Sequence, residues 1–177
     1  MERRERIIES ALQVVADGGL KGLTHRAVDR HANLAEGSTG NLFPRRADLI
    51  HALLSHLGDR DKELFRQAEE VKVSAPHQVA ALLARGVQRM VAADNAALTR
   101  VRLAMMPANP SEAGEFYRGF LRNFERTLTR AGADDVEARS RAVMDYLDGV
   151  VFHALTIDPR PIDPDMTEKV FLLLITQ

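Results

Sequence analysis

The sequence predicts an all-α fold, and three observations lead to that prediction. The strong helix formers Ala, Leu and Arg occur 24, 21 and 20 times among the 177 residues. Apolar residues recur at the three- and four-residue spacing of amphipathic helices, and we find no alternating strand pattern. Glycine, proline and asparagine turn signals divide the chain into nine such stretches. We therefore expect nine helices and no sheet.

The N-terminal stretch predicts three helices. The first covers about 3–17, with an apolar stripe on one face, and ends at Gly18-Gly19. The second, about 24–32, has Thr24 as its N-cap, and a tight turn follows at Asn33 because Asn tolerates the left-handed region. The third, about 35–42, ends before Phe43-Pro44. Two short helices on so short a turn predict a helix-turn-helix.

Six further helices are expected in the rest of the chain. Asp163 is the expected N-cap of the last one, and Pro164 its first residue. We place a domain boundary between residues 1–46 and residues 47–177. The predicted helices cover about 46–71, 77–93, 95–106, 110–131, 134–156 and 164–176.

Composition and motif searches exclude several classes of protein. The absence of cysteine excludes disulfide scaffolds, thiolate zinc sites and cysteine nucleophiles. No nucleophile elbow, phosphate-binding loop, dinucleotide fingerprint or zinc-protease motif occurs. We therefore expect no catalytic residue, metal or cofactor, and no enzyme activity. The apolar runs are too short to span a membrane, and the charged N-terminus lacks a secretory apolar region, so we expect a cytoplasmic protein.

Charge is distributed unevenly although the net charge is only −1. Residues 1–46 carry eight Lys or Arg against six Asp or Glu, and the rest carries sixteen against nineteen. The sign of this imbalance suits an N-terminal domain that contacts an anion, and a chance fluctuation would produce it equally well.

The third helix contains the residues with least bulk, Gly37 to Asn41. Such a face fits a DNA major groove, where Ser, Thr and Asn side chains contact base edges. The other interpretation is an irregular surface loop. Thr24 and Arg46 are expected at phosphates near helix N-termini. The complete set of candidate DNA-contacting residues is Thr24, His25, Arg26, Glu36, Gly37, Ser38, Thr39, Asn41, Arg45 and Arg46.

Residues 23–49, LTHRAVDRHANLAEGSTGNLFPRRADL, resemble the TetR family of one-component transcriptional regulators. The sequence departs from the family pattern at Asp29, where a small residue normally packs, and at Asn33, Ala35, Gly40 and Leu42. The residues that match the pattern at the same spacing are Thr24, Val28, Ala32, Leu34, Gly37, Ser38, Phe43, Arg46, Asp48 and Leu49.

The resemblance implies a homodimer in which a three-helix head binds a palindromic double-stranded DNA operator. It also implies a C-terminal domain that dimerises and binds a small-molecule effector, which releases the DNA. Most members of the family are repressors.

An aromatic row at four-residue spacing, Phe116, Phe120 and Phe124, marks the helix at 110–131. This row indicates either core packing or the wall of an effector pocket. No buried lysine or paired carboxylate is evident beside it, so a hydrophobic or amphipathic effector is expected. The candidate pocket residues are Met90, Met105, Met106, Phe116, Tyr117, Phe120 and Phe124.

The last two helices have wider apolar faces than a monomer needs. They suit a four-helix bundle across a two-fold axis, and the other interpretation is a core within one chain. The candidate interface residues are Val143, Tyr146, Leu147, Val150, His153, Val170, Phe171 and Leu174.

Two other function classes remain open from the sequence. One is a helical protein-interaction module with a degenerate head, which would lack salt-dependent affinity for DNA. The other is a small helical enzyme, which would show a strongly shifted carboxylate or histidine in a pocket.

Overall fold

A computed structural model describes residues 2–70, 73–108 and 110–177, and within them the side chains of all but residues 60–70, 112 and 116. In these ranges the chain forms nine α-helices and no strand, which confirms the predicted fold class. None of the described helices is long and apolar enough to cross a membrane. The helices are α1 (Arg3–Gly22), α2 (His25–His31), α3 (Ser38–Leu42), α4 (Arg46–Glu70), α5 (Pro76–Val91), α6 (Ala93–Met105), α7 (Pro110–Arg130), α8 (Val136–Phe152) and α9 (Pro164–Thr176).

Several helix ends confirm the local signals of the sequence. The Thr24 hydroxyl accepts from the Ala27 N–H at 3.2 Å and caps α2. The Asp163 carboxylate accepts from two N–H groups in the first turn of α9. Asn33 has φ 51°, as expected for the turn. Gly19, with φ 65°, interrupts α1, and helical geometry resumes as far as Gly22.

Besides the end of α1, which lies at Gly22 and not at Gly18-Gly19, two helix ends differ from the expectation. Helix α3 begins at Ser38 instead of Ala35, because Gly37 adopts φ 90° and stands outside the helix as its N-cap. At the end of α8 a π-helical turn, His153–Ile157, follows, in which the Asp158 N–H donates to the His153 carbonyl at 2.9 Å. The wider hydrogen-bond spacing of a π-turn carries no signal in apolar periodicity.

The chain divides into two compact units, the first formed by Met1–Lys62 and Ala97–Ala113. The core of this unit joins α1, α2, the start of α4, and α6. Ile7, Leu23, Val28 and Leu53 are buried there, together with Met105 from α6. The helix-turn-helix is thus packed onto a support larger than residues 1–46.

The second unit is formed by Glu63–Ala96 and Gly114–Gln177. Helices α5, α8 and α9 pack on each other, and Phe171 is fully buried. The Tyr146 ring meets the Phe171 ring edge-on, with centroids 5.1 Å apart. The division between the units falls within α4, and the functional boundary at residues 46/47 stays a prediction.

Candidate nucleic-acid interface

The turn between α2 and α3 is built from two residues with positive φ. Asn33 (φ 51°) and Gly37 (φ 90°) reverse the chain, and the Leu34 N–H donates to the Asp29 carbonyl at 2.9 Å. A Cβ at Gly37 would meet no atom within 4 Å, so the backbone conformation, and not space, requires glycine there.

The carboxylate of Asp29 caps α3 from the neighbouring helix. Its Oδ2 accepts from the Gly37 N–H at 2.8 Å. Its Oδ1 accepts from the Thr39 N–H at 2.8 Å and from the Thr39 hydroxyl at 2.6 Å. Burial would raise the pKa of Asp29, but the hydrogen bonds from Thr39 and Gly37, with the charge of His25, hold it below its ordinary value. The residue therefore remains a carboxylate although it is only 3% exposed.

Arginines of α1 hold the same segment from the other side. The Arg6 guanidinium donates to the Ala32 carbonyl at 2.6 and 3.0 Å and to the Asn33 carbonyl at 3.0 Å, which satisfies carbonyls at the end of α2. Arg3 donates to the Ser38 hydroxyl at 2.7 Å. No sequence pattern predicts these contacts, because they join residues 26 to 35 positions apart.

The candidate base-reading residues are only partly exposed. Glu36, Gly37 and Asn41 lie on the surface, whereas Ser38 and Thr39 are buried. The expectation of one continuous low-bulk face was therefore wrong for these two side chains, since Thr39 bonds inward to Asp29 and the Ser38 hydroxyl is held by the Ala35 carbonyl and by Arg3. Base contacts by Ser38 and Thr39 would require a change in this packing.

An apolar residue missed by the sequence reasoning lies beside this surface. Leu42, at the end of α3, is 45% exposed. An exposed aliphatic side chain of this kind is chemically suited to contact with a thymine methyl group. Its only signal was an apolar residue at a position that resembles a DNA-contacting one in the TetR family.

The candidate phosphate-contacting residues differ in how they are engaged. Arg26 pairs with Glu36 at 3.0 Å, and both side chains are more than 70% exposed. Arg45 pairs with Asp48 at 2.7 Å on the surface, and its hydrogen bonds lower the pKa of that carboxyl. Arg46 instead donates to the Leu23 carbonyl at 3.0 Å and to the carbonyl of Leu20.

The two remaining candidates of the head, Thr24 and His25, lie at the start of α2. Thr24 is exposed, and its hydroxyl oxygen already serves as the N-cap. The Nε2 atom of His25 is buried and has no hydrogen-bond partner in the described part of the chain. His25 therefore points this atom into the protein and not toward solvent.

The candidate pocket residues are distributed over both units. Phe120 and Phe124 stack in the second unit with centroids 6.2 Å apart. Burial raises the pKa of Tyr117, and the charges of Asp145 and Asp148 on α8 raise it further. The structure thus brings two carboxylates near this tyrosine. Half-buried Met90 belongs to the same unit, Met105 and Met106 belong to the first unit, and the Phe116 side chain lies outside the described residues.

The candidate interface residues also separate by burial. Val143, Leu147 and Phe171 are buried inside the second unit. Tyr146, Val150, Val170 and Leu174 are half-buried, and His153 is exposed. Four large apolar side chains outside the candidate interface set are exposed at the end of α8, in the π-turn and on α9, namely Phe152, Ile157, Met166 and Leu173.

The chain was compared with known proteins. No protein-family model matches it. It is 26% identical over 116 residues to the HTH-type transcriptional repressor KstR of Mycolicibacterium smegmatis, a match that covers 64% of this chain and 55% of the repressor. The chain therefore spans about half the length of that relative.

Solved structures resemble the chain over its whole length. A TetR-family member from Streptomyces coelicolor has a TM-score of 0.81 at 24% identity, with full coverage of both chains. The multidrug binding protein EbrR complexed with malachite green has a TM-score of 0.80 at 27% identity, also with full coverage of both. These similarities confirm the fold and the resemblance seen in residues 23–49, and they support a DNA-binding regulator, not an enzyme.

Proposed function

We propose that this chain, whose fold is that of solved TetR-family regulators, is a ligand-responsive transcriptional repressor that binds a palindromic DNA operator as a cytoplasmic homodimer. One observation carries the DNA-binding part of this proposal. A helix-turn-helix, fixed by Asp29 and by arginines of α1, presents Glu36, Asn41 and Leu42 at an exposed surface.

Phosphate and base contacts are assigned by exposure. Arg26 and Arg45 contact phosphates, since their present ion pairs lie in solvent and exposed pairs contribute little, about 0–1 kcal/mol. Glu36, when released from Arg26, accepts a hydrogen bond from a cytosine amine, and Asn41 contacts a base edge. Ser38 and Thr39 act from beneath by fixing α3.

The test compares two substitutions on a duplex that the wild type selects from a randomised library and on a random duplex. Asn41→Ala should cost about 1–3 kcal/mol on the selected duplex only. Arg45→Ala should lower the affinity for both duplexes alike, and it should reduce the slope of log affinity against log salt concentration by about one ion. Arg85→Ala, an exposed arginine on α5, is the charge-matched control and should change neither. Equal behaviour of the Asn41 and Arg45 variants on both duplexes would contradict the assignment.

The second unit is the proposed effector-binding part. The stacked Phe120 and Phe124 supply apolar surface, and charged groups of both signs, Asp145, Asp148 and Arg141, lie near Tyr117, which suits an amphipathic effector. The structurally similar protein EbrR was solved in complex with malachite green, which supports a hydrophobic or amphipathic effector for this chain. Effector binding shifts the dimer toward a state of lower operator affinity.

Malachite green itself is the probe for this part of the proposal. It should raise the melting temperature of the wild type and lower affinity for the selected duplex by about 5–150-fold. Asp145→Asn should reduce both changes that the dye causes, the rise in melting temperature and the loss of affinity for the selected duplex. The effects of an uncharged aromatic compound should be the same in this variant as in the wild type. Stabilisation without a change in DNA affinity would contradict the coupling.

A protein-interaction module with a degenerate head is the second candidate. It is favoured by the burial of Ser38 and Thr39 and by the internal hydrogen bonds of Arg46. Absence of salt-dependent binding to any duplex would support this candidate against the first.

A further inference from the structure

Helix α3 is too short to hold its own conformation. It has five residues, and isolated helices shorter than about 12–15 residues are marginal in water. Gly37, the residue that precedes it, has φ 90° and no side chain with which to cap the helix. The orientation of α3 therefore depends on groups outside it.

Asp29 supplies a restraint at the start of α3 with both of its carboxylate oxygens. One oxygen accepts from the Gly37 N–H at 2.8 Å, and the other accepts from the N–H and the hydroxyl of Thr39 at 2.8 and 2.6 Å. Thr39 is fully buried, so water does not replace its two bonds to Asp29 when they are lost. A buried carboxylate is costly unless such donors surround it.

We propose that Asp29 is a positioning residue for DNA recognition: its carboxylate sets the orientation of α3, and operator-specific affinity depends on it although Asp29 does not itself contact DNA. This inference rests on the proposed function. Asp29 is one of the positions at which the sequence departs from the pattern of the resembling family, and here its carboxylate accepts from the Thr39 hydroxyl at 2.6 Å.

The predicted consequence is a loss of specificity without a loss of general DNA affinity. Base contacts require α3 to lie at one angle in the groove, whereas phosphate contacts by Arg26 and Arg45 depend mainly on charge. Disorder at the start of α3 therefore lowers the affinity for the selected duplex more than the affinity for random DNA.

The first test variant is Asp29→Asn. An amide has one acceptor oxygen, so it cannot serve both Gly37 and Thr39, and its NH₂ group faces one of the two N–H donors. On a duplex selected by the wild type, affinity should fall about 10-fold, as expected for bonds to a charged group. Affinity for random DNA and the salt slope should stay within about twofold of the wild type. Asp17→Asn, an exposed aspartate of α1, makes the same charge change and should bind both duplexes as the wild type does.

A second pair of variants separates positioning from folding. Thr39→Ser keeps the hydroxyl that Asp29 accepts, and Thr39→Val keeps the volume but removes the hydroxyl. If the hydrogen bond positions α3, the serine variant should retain selectivity better than the valine variant. If only packing matters, the valine variant should retain more, and that result would overturn the proposal.

The outcomes of the titration distinguish the two levels of inference. A wild type that prefers no duplex would overturn the proposed function. A selective wild type with an equally selective Asp29→Asn variant would overturn only the role of Asp29. Equal losses on selected and random DNA would also overturn it, since Asp29 would then support the head as a whole.

Discussion

Replacing Arg6 with methionine tests whether α1 holds the helix-turn-helix through its guanidinium. Arg6 lies on α1, is half-buried, and donates three hydrogen bonds to the carbonyls of Ala32 and Asn33, where α2 ends and the turn begins. Methionine keeps much of the apolar stem and removes every donor. In the variant, those carbonyls accept hydrogen bonds only from water or have no hydrogen-bond donor.

The magnitude follows from the number and charge of these bonds. Hydrogen bonds to a charged group contribute about 1.5–3 kcal/mol, and two of the three converge on one acceptor in a half-buried position. We therefore expect the free energy of unfolding to fall by about 2 kcal/mol. For a chain of this length that loss lowers the melting temperature by about 4–8 °C.

Urea denaturation and thermal melting of Arg6→Met measure this loss directly. Arg85→Met, on the exposed face of α5, is the matched control and should melt with the wild type. The urea midpoint should fall without a change of slope, since the unfolded surface is the same. An Arg6→Met variant as stable as the Arg85→Met control would refute the view that α1 holds the turn through this guanidinium.

Three further substitutions have expected outcomes. Leu173→Glu should convert the proposed dimer to a monomer in light scattering, because it places an unpaired charge on the apolar surface of α9, where Leu173 is 49% exposed in the protomer. Leu42→Glu, at a similarly exposed position of the head, should leave the dimer intact. Gly37→Ala should lower the urea midpoint, because an alanine at φ 90° is strained by about 1–2 kcal/mol. Gly40→Ala is the control, since Gly40 is helical and has open space around its Cβ, and it should be neutral or stabilising. Equal shifts of the midpoint in the two variants would contradict this expectation. Because the pKa of Asp29 is lowered by folding, its contribution to stability is present above the unfolded value of 3.8 and is lost as pH falls through the folded value. Wild type should therefore lose more stability in acid than Asp29→Asn, and parallel pH profiles would count against this.

Local signals predicted those parts of the fold that depend on neighbouring residues. Thr24 and Asp163 cap the helices that follow them, and Asn33 makes the turn, since each acts through backbone within three residues. The head could thus be recognised from its sequence.

Contacts between distant residues account for what the sequence could not predict. The cap on α3 comes from Asp29, and the turn is held by Arg6, so neither leaves a periodic pattern. Apolar periodicity also marks a buried face without showing what covers it. Leu147 and Phe171 are covered within their own unit, whereas Leu173 remains exposed.

The preference of the wild type for one DNA sequence is the most direct test of the proposed regulator. Fluorescence anisotropy would compare the selected duplex with a scrambled duplex of the same composition over a series of salt concentrations. We expect the selected duplex to bind at least about 10³-fold tighter at physiological salt, with affinity falling linearly on a log–log plot against salt. Equal affinity for both duplexes, or binding that does not depend on salt, would contradict recognition of an operator by this head.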